Sequence, residues 1–372
     1  MKEKLNVAVL FGGRSGEHAV SLMSAKFVLS VLNRDKYDVT EIGITRQGVW
    51  VAGDNALQAL LDEDENKLSP VTMLPDPTRQ GMRILKSKKD GEMLEHFADF
   101  DVIFPVLHGT YGEDGSLQGL FELAGSAYVG AGVVGSAVGM DKAIFKDVMS
   151  SNNIPVVDTV LLLSSEINDD MDAAVRKAEV VGKYPLFTKP ANLGSSVGIS
   201  KAVSRSDLVE TLMEAAQYDR RVVVQKGLNV REIEVSVLGN DEPGASVCGE
   251  IIPAAEFYSY DAKYHDDRSK AIIPADIPDE ISAKIRSMAV KAFKACDLAG
   301  LARVDFFLEK DTDDIYLNEL NTMPGFTQIS MYPMLWEASG VSNEALVDRL
   351  IKLALERKAD RESISHQFRR GA

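Results

Sequence analysis

Polar side chains of four kinds recur at alternate positions in two apolar segments, Ala302-Arg303-Val304-Asp305-Phe306-Phe307 and Ile315-Tyr316-Leu317-Asn318-Glu319-Leu320-Asn321. Side chains on a strand alternate between faces, so Arg303 and Asp305 share one face, as do Glu319 and Asn321. The polar stretch Lys310-Asp311-Thr312-Asp313-Asp314 between the segments predicts a hairpin turn. Such a hairpin gathers two carboxylates, an amide oxygen and a guanidinium. These hard oxygen donors suit Mg²⁺, which is usually held by one or two carboxylates plus substrate phosphates. Taken alone, the same residues also describe a surface hairpin with exposed charges.

Several glycine-rich loops follow apolar runs. Gly12-Gly13-Arg14-Ser15-Gly16 lies between a strand-like run at 5–11 and a helical pattern at about 18–32. It is not a dinucleotide fingerprint, because the third and sixth positions counted from Gly12 are Arg14 and Glu17. The pair Gly182-Lys183 lacks the flanking residues of a P-loop. Glu17 enters the helix, where a carboxylate is favoured by the dipole. A simple N-terminal charge and an ammonium-binding group are both open readings of it. His108-Gly109-Thr110-Tyr111-Gly112-Glu113-Asp114-Gly115 follows an apolar strand and forms a tight loop, either structural or functional. Lys189 ends another strand before Gly194-Ser195-Ser196-Val197-Gly198, whose amides and hydroxyls can meet phosphate oxygens or serve as a flexible linker. Gln225-Lys226-Gly227-Leu228 ends the run Val222-Val223-Val224, and the amide groups of such a strand end can pair with an adenine edge while Glu232 accepts from ribose hydroxyls.

The elements that must carry these residues follow an α/β pattern. A chain of 372 residues exceeds what one core usually supports, so two or three domains are expected. Strands at 5–11, 37–44 and 101–107, helices at 18–32 and 116–123 and a short strand at Tyr128 make an open α/β domain with functional loops at its strand ends. Residues 62–95 are read as a polar surface excursion. A helix opening at Asp141, strands at 159–163, 185–189 and 197–202 and a helix at 171–181 describe a small α+β domain. Strands at 221–225, 232–239 and 244–251 begin a third unit, which ends in helices at 278–296 and 343–356. The domains are placed at 1–125, 126–218 and 219–360.

Composition limits the partners. Apolar residues make up 45% and charged residues 26% of an ordinary globular chain. A net charge of −15 argues against non-specific nucleic-acid or anionic-membrane binding, though local lysines can still receive an anionic substrate. No stretch approaches a membrane span, and the start at Met1-Lys2-Glu3-Lys4 lacks the apolar core of a signal peptide. Cys248 and Cys296 read as buried thiols in a reducing cytoplasm.

In order and spacing, the motifs from Phe11 to Pro333 resemble the D-alanine–D-alanine ligases of the ATP-grasp superfamily. The resemblance rests on Gly12-Gly13-Arg14-Ser15-Gly16-Glu17-His18, the loop from His108 to Gly115, Met140-Asp141-Lys142, Lys189-Pro190 with the Gly194 loop, and Arg231-Glu232-Ile233-Glu234. It continues through Phe257-Tyr258-Ser259-Tyr260-Asp261-Ala262-Lys263-Tyr264, Arg303-Val304-Asp305 and Asn318-Glu319-Leu320-Asn321-Thr322-Met323-Pro324-Gly325. It implies an ATP-grasp fold over about 142–350, preceded by an open parallel-sheet domain.

It further implies ATP between the central and C-terminal domains, with Lys142, Lys189, Ser196 and Lys263 on its phosphates. Gln225, Lys226 and Leu228 would meet adenine and Glu232 the ribose. Gln225 is a departure, since related ligases often carry Glu there, and Ala19 is another, where relatives often carry an acid. Two Mg²⁺ (or Mn²⁺) ions would sit on Asp305, Glu319 and Asn321. Glu17 would bind the ammonium of a first D-alanine near His108, while Ser330 and Met331 receive the carboxylate of a second. Arg303 and the Gly325 N–H would face the developing oxyanion. Ser195 and Tyr264 would join Glu17 in a triad closing a lid, and Tyr264 favours a dipeptide over a D-alanine–D-lactate product. A homodimer is implied as well. A catalytically silent nucleotide-binding module is the reading from another class.

Overall fold

Val7, Ala8, Val9, Leu10 and Phe11 expose none of their surface, as expected of a strand covered on both faces. The structure, a computed structural model, describes residues 4–194, 197–252 and 270–365. This first strand, β1 (Leu5–Gly12), pairs in parallel with β2 (Tyr37–Ile44) and β7 (Val102–Val106). Between the last two come β3 (Trp50–Ala52), β4 (Ser69–Met73), β5 (Met82–Lys88) and β6 (Gly91–Ala98). They extend the sheet antiparallel, in the order β6-β5-β4-β3-β2-β1-β7. The stretch read as a surface excursion is thus largely sheet. Its outer strands are half-exposed and carry charges on both faces, which hides the period-two pattern.

Helix α1 (His18–Val31) buries His18, Ser21, Leu22, Ala25 and Val28. That spacing of three and four puts them on one face, which lies on β1 and β7. The short helix α2 (Ala56–Leu61) packs beside it, and α3 (Ser116–Leu123) covers the opposite side of the sheet with Phe121 and Tyr128. The strand expected at Tyr128 is a single parallel bridge to Ile103.

Helices α4 (Val133–Met140) and α5 (Lys142–Ser151) lead into the second sheet. Asp141 caps α5, accepting from the Ala143 and Ile144 amides at 3.1 and 3.0 Å. The sheet holds β8 (Thr159–Leu163), β9 (Leu186–Pro190), β10 (Ser200–Ala202) and β11 (Arg221–Lys226), in the order β10-β9-β11-β8. Helices α6 (Ser164–Asp169), α7 (Met171–Ala178) and α8 (Arg205–Tyr218) cover it. The sequence reading opens the third unit at Arg221. Instead β11 lies inside the central sheet between β8 and β9, because Val222, Val223 and Val224 are buried and need cover on both faces.

The third sheet is antiparallel: β12 (Val230–Gly239), β13 (Gly244–Ile252), β14 (Lys270–Ile272), β15 (Gly300–Glu309) and β16 (Ile315–Asn321), in the order β14-β13-β12-β15-β16. Helix α9 (Asp279–Ala295) packs on it through Ile285, Ala289, Ala292 and Phe293. The last helices, α10 (Met331–Ala338) and α11 (Asn343–Ser363), tie this unit to the first sheet. Phe326, Tyr332, Leu346, Val347, Leu350 and Ile351 share one core with Val7, Val9, Phe11 and Phe104. Burying each such aliphatic side chain is worth about 1.5–3 kcal/mol, so the two ends of the chain are firmly joined. The α/β, ATP-grasp-type architecture expected from the sequence is the one observed.

Candidate active site

A cavity of about 1240 Å³ opens where the three sheets converge. Glu17, His108, Lys142, Arg303, Glu319, Asn321, Gly325, Ser330 and Met331 all line it. Residues as far apart in sequence as Glu17 and Met331 therefore face one space. Asp305, Lys189, Gln225, Lys226, Leu228 and Glu232 are not among the residues that line it.

The expected hairpin is present. β15 and β16 pair antiparallel with Asp305 opposite Glu319 and Arg303 opposite Asn321. The register slips just after Asp305, a bulge placed beside the carboxylates. Arg303 grips Asp305 with two hydrogen bonds, Nε to Oδ1 and Nη2 to Oδ2, both 2.7 Å. The same Nε lies 2.9 Å from Glu234 Oε2, and Asn321 Nδ2 donates to Asp305 Oδ2 at 2.9 Å. Burial opposes the guanidinium charge, but Asp305 and Glu234 outweigh it and hold Arg303 well above its ordinary range. Removing one partner of such a buried pair typically costs about 3–5 kcal/mol.

The donor set fits a hard divalent cation: two carboxylates directly across a strand pair with an amide oxygen beside them. Among the described residues no group of three His, Cys, Asp or Glu side chains could hold a metal by itself. Here the third protein donor is the Asn321 amide, and phosphate oxygens would complete the shell.

A cluster of lysines stands beside this hairpin. Lys142 opens α5; its Nζ donates to the Leu193 carbonyl at 2.6 Å, and its backbone N–H to Ala191 at 2.9 Å. One turn later, Lys146 Nζ donates to Gln225 Oε1 at 2.7 Å and to the Val157 carbonyl at 3.4 Å. Lys189 Nζ reaches the same Gln225 oxygen at 3.2 Å. Two ammonium groups thus share one neutral acceptor. Burial pushes Lys189 down to about 8 against the pull of Glu319 and Glu232, with Lys142 adding to the fall. Burial also drives Lys146 well below its usual range, and the charges of Lys189 and Lys142 push the same way. Such poorly neutralised cations fit the phosphates of a nucleotide. Glu232 lies near the start of β12, and Lys226 donates its backbone N–H to Asp158 at 3.1 Å. Leu228 follows β11 and is half-buried.

On the opposite wall, Glu17 precedes α1 and is 8% exposed. Its carboxylate sits between two glycine backbones. A Cβ at Gly109 would lie 2.6 Å from Glu17 Oε2, and one at Gly194 would lie 3.0 Å away. Gly109 has φ +74°, so a side chain there is excluded by backbone conformation as well as by space. His108 is buried, with Nδ1 2.9 Å from the Met323 carbonyl and Nε2 3.0 Å from Ser24 Oγ. Gly325 faces Ser330, whose Oγ accepts from the Thr327 N–H at 3.0 Å, and Met331 is the first residue of α10.

Glu113, Ser24, Lys146 and Glu234 carry this geometry, although sequence reasoning gave them no role. Glu113 Oε2 accepts from the Gly109 N–H at 2.6 Å and Oε1 from the Met323 N–H at 3.0 Å. The signals were local: Lys146 stands four residues after Lys142 on one helix, and Glu113 lies inside the quoted glycine loop. Ser24 offered no signal. Ser195, Ser196, Lys263 and Tyr264 lie outside the described residues.

Residues 6–131 match the family model of the D-ala D-ala ligase N-terminus, and residues 148–352 that of the D-ala D-ala ligase C-terminus. The D-alanine–D-alanine ligase of Acetivibrio thermocellus is 48% identical, over 97% of this chain and 98% of the relative. That of Heliobacterium modesticaldum is 47% identical, over 96% and 97%. Among solved structures, the D-alanine-D-alanine ligase from Coxiella burnetii superposes with TM-score 0.84 at 36% identity, covering 97% of each chain. The VanG D-Ala:D-Ser ligase from Enterococcus faecalis gives 0.83 at 36% identity, covering 95% of this chain and 100% of that one. With both family models matched and the curated relatives aligned end to end, the chain belongs to the D-alanine–D-alanine ligase family.

Proposed function

We propose that this chain joins two D-alanine molecules into D-alanyl-D-alanine, converting ATP to ADP and phosphate. The observation that supports the reading is one cavity lined by Glu319 and Asn321 of the hairpin, by Lys142 and by the glycine-bounded Glu17. The γ-phosphoryl group moves to the carboxylate of the first D-alanine, giving an acyl phosphate. The amine of the second attacks that carbonyl carbon, and phosphate leaves with the bridging oxygen. Such transfers ask little covalent work of the protein, so positioning and charge compensation dominate.

Asp305, Glu319 and Asn321 would hold two Mg²⁺ or Mn²⁺ ions, which offset phosphate charge when bound. Lys142 and Lys189, with Lys263 and Ser196, would take phosphate oxygens. Gln225, Lys226 and Leu228 would contact adenine, and Glu232 the ribose. Glu17 would receive the first ammonium with His108 beside it, and Ser330 and Met331 the second carboxylate. Arg303 enters the reaction already fixed by Asp305 and Glu234, so together with the Gly325 N–H it can face oxyanion charge with little reorganisation. Ser195 and Tyr264 would tie a lid to Glu17, shielding the acyl phosphate from water. A homodimer and a cytoplasmic location belong to the same proposal and rest on the family resemblance. No described helix is long and apolar enough to cross a membrane.

The test is product analysis with ATP and D-alanine, then with D-serine or D-lactate as competing acceptors. Dipeptide should form in step with ADP, and D-alanine should outcompete both others. ATP hydrolysis indifferent to D-alanine would sink the reading.

A further inference from the structure

Phe326 donates its N–H to Ser24 Oγ at 3.1 Å, and the same oxygen lies 3.0 Å from His108 Nε2. His108 Nδ1 lies 2.9 Å from the Met323 carbonyl, which can only accept. That contact places a proton on Nδ1. Ser24 is fully buried, so its hydroxyl hydrogen needs an acceptor, and among the described residues Nε2 is the one within reach. A protonated Nε2 would leave that hydrogen stranded. The network is therefore directional, running from the Phe326 N–H to the Ser24 hydroxyl, to Nε2, and from Nδ1–H to the Met323 carbonyl.

We propose that Ser24 is a positioning residue. It keeps the His108 imidazole neutral with its proton on Nδ1, and it fixes the 323–326 loop that carries Gly325. The loop is gripped from the first domain at both ends: by Glu113 and His108 at Met323, and by Ser24 at Phe326. Ser24 stands seven residues after Glu17, two helical turns along α1, so one helix aligns the ammonium-binding wall with the oxyanion loop. The catalytic part of this inference rests on the ligase reading; the tautomer does not.

Long-range proton–nitrogen spectra of the full chain labelled at histidine, with His108 assigned by loss of its signal in His108→Asn, read the tautomer directly. Near neutral pH, Nδ1 should appear protonated and Nε2 bare. In Ser24→Ala the Nε2 signal should shift, and kcat should fall by roughly ten- to a hundred-fold while KM for ATP stays within about twofold. A serine that does not donate to Nε2 would leave the Nε2 signal unmoved. If Ser24→Ala fails to fold, the unmutated spectrum still decides the tautomer, and Ser24→Cys, with a weaker donor, should be intermediate in kcat. A proton on Nε2, a charged His108, or an unchanged kcat in a folded Ser24→Ala overturns the inference. Absence of dipeptide from the unmutated chain overturns the ligase reading and its catalytic half, whereas a reversed tautomer with normal turnover overturns this inference alone.

Discussion

The two walls of the cavity are built by different means. On the hairpin wall, charged side chains project from paired strands and fix one another: Arg303 binds Asp305 and Glu234, and Glu319 faces Asp305 across the ladder. On the Glu17 wall, loops meet through backbone groups, and the distances are set by side chains that are missing, at Gly109 and Gly194. The first wall tolerates loss of charge poorly because its side chains fix one another through charge. The second tolerates bulk poorly because it has no space. Loss of charge should therefore cripple one side and added volume the other.

The largest effect is expected at the hairpin. Glu319→Gln keeps the shape and removes a charge needed beside phosphates, so turnover should fall about a thousand-fold with the melting temperature nearly unchanged. Near-normal steady-state rates at ordinary Mg²⁺ would break the hairpin half of the comparison. Next comes Gly109→Ala, which adds only one methyl group but meets Glu17 at 2.6 Å on a backbone with φ +74°. The first D-alanine should then bind roughly a hundred-fold worse, as judged by kcat/KM, while nucleotide binding holds. Equal losses for both substrates would mean that the loop has collapsed.

Lys189→Met retains the stem and loses the ammonium. Nucleotide affinity measured by calorimetry should weaken about tenfold, and D-alanine affinity should not change. The smallest effect concerns protons. Lys189 is pushed down to about 8, so it is charged below that pH and increasingly neutral above it. ATP binding should accordingly weaken as pH rises through about 8 and take up a proton there, detectable by calorimetry in buffers of different ionisation enthalpy. The effect on stability has the opposite sense: between about 8 and the ordinary lysine value of 10.5, the folded chain binds fewer protons at Lys189 than the unfolded chain, so this group favours folding as pH rises. Gln225→Glu would put a carboxylate between Lys146 and Lys189 and move the transition upward. An unmoved transition would place its origin elsewhere.

The hairpin wall was legible because its information is periodic: residue type and alternate spacing alone put Arg303, Asp305, Glu319 and Asn321 on common faces. The buried run at 5–11 and the cap at Asp141 were legible for the same local reason. The Glu17 wall was readable only as a set of loops, since the meeting of Gly109 with Gly194 depends on how whole units pack. Ser24 illustrates the limit: a serine on a helix gives no hint that it bonds a loop three hundred residues away. The sheet at 69–98 escaped because its outer strands carry charges on both faces, and β11 was assigned to the wrong unit because a valine run says "buried strand" without saying in which sheet.

The central claim is that both walls act on the same D-alanine carboxylate, one delivering phosphoryl and the other holding the amino acid. Ligation with D-alanine labelled by heavy oxygen in its carboxylate, followed by mass analysis of the phosphate and the dipeptide, tests it most directly. One labelled oxygen should appear in inorganic phosphate for each dipeptide formed, with the new peptide carbonyl keeping the other. Unlabelled phosphate alongside dipeptide would contradict the account, because the phosphoryl group would then never have joined the D-alanine carboxylate.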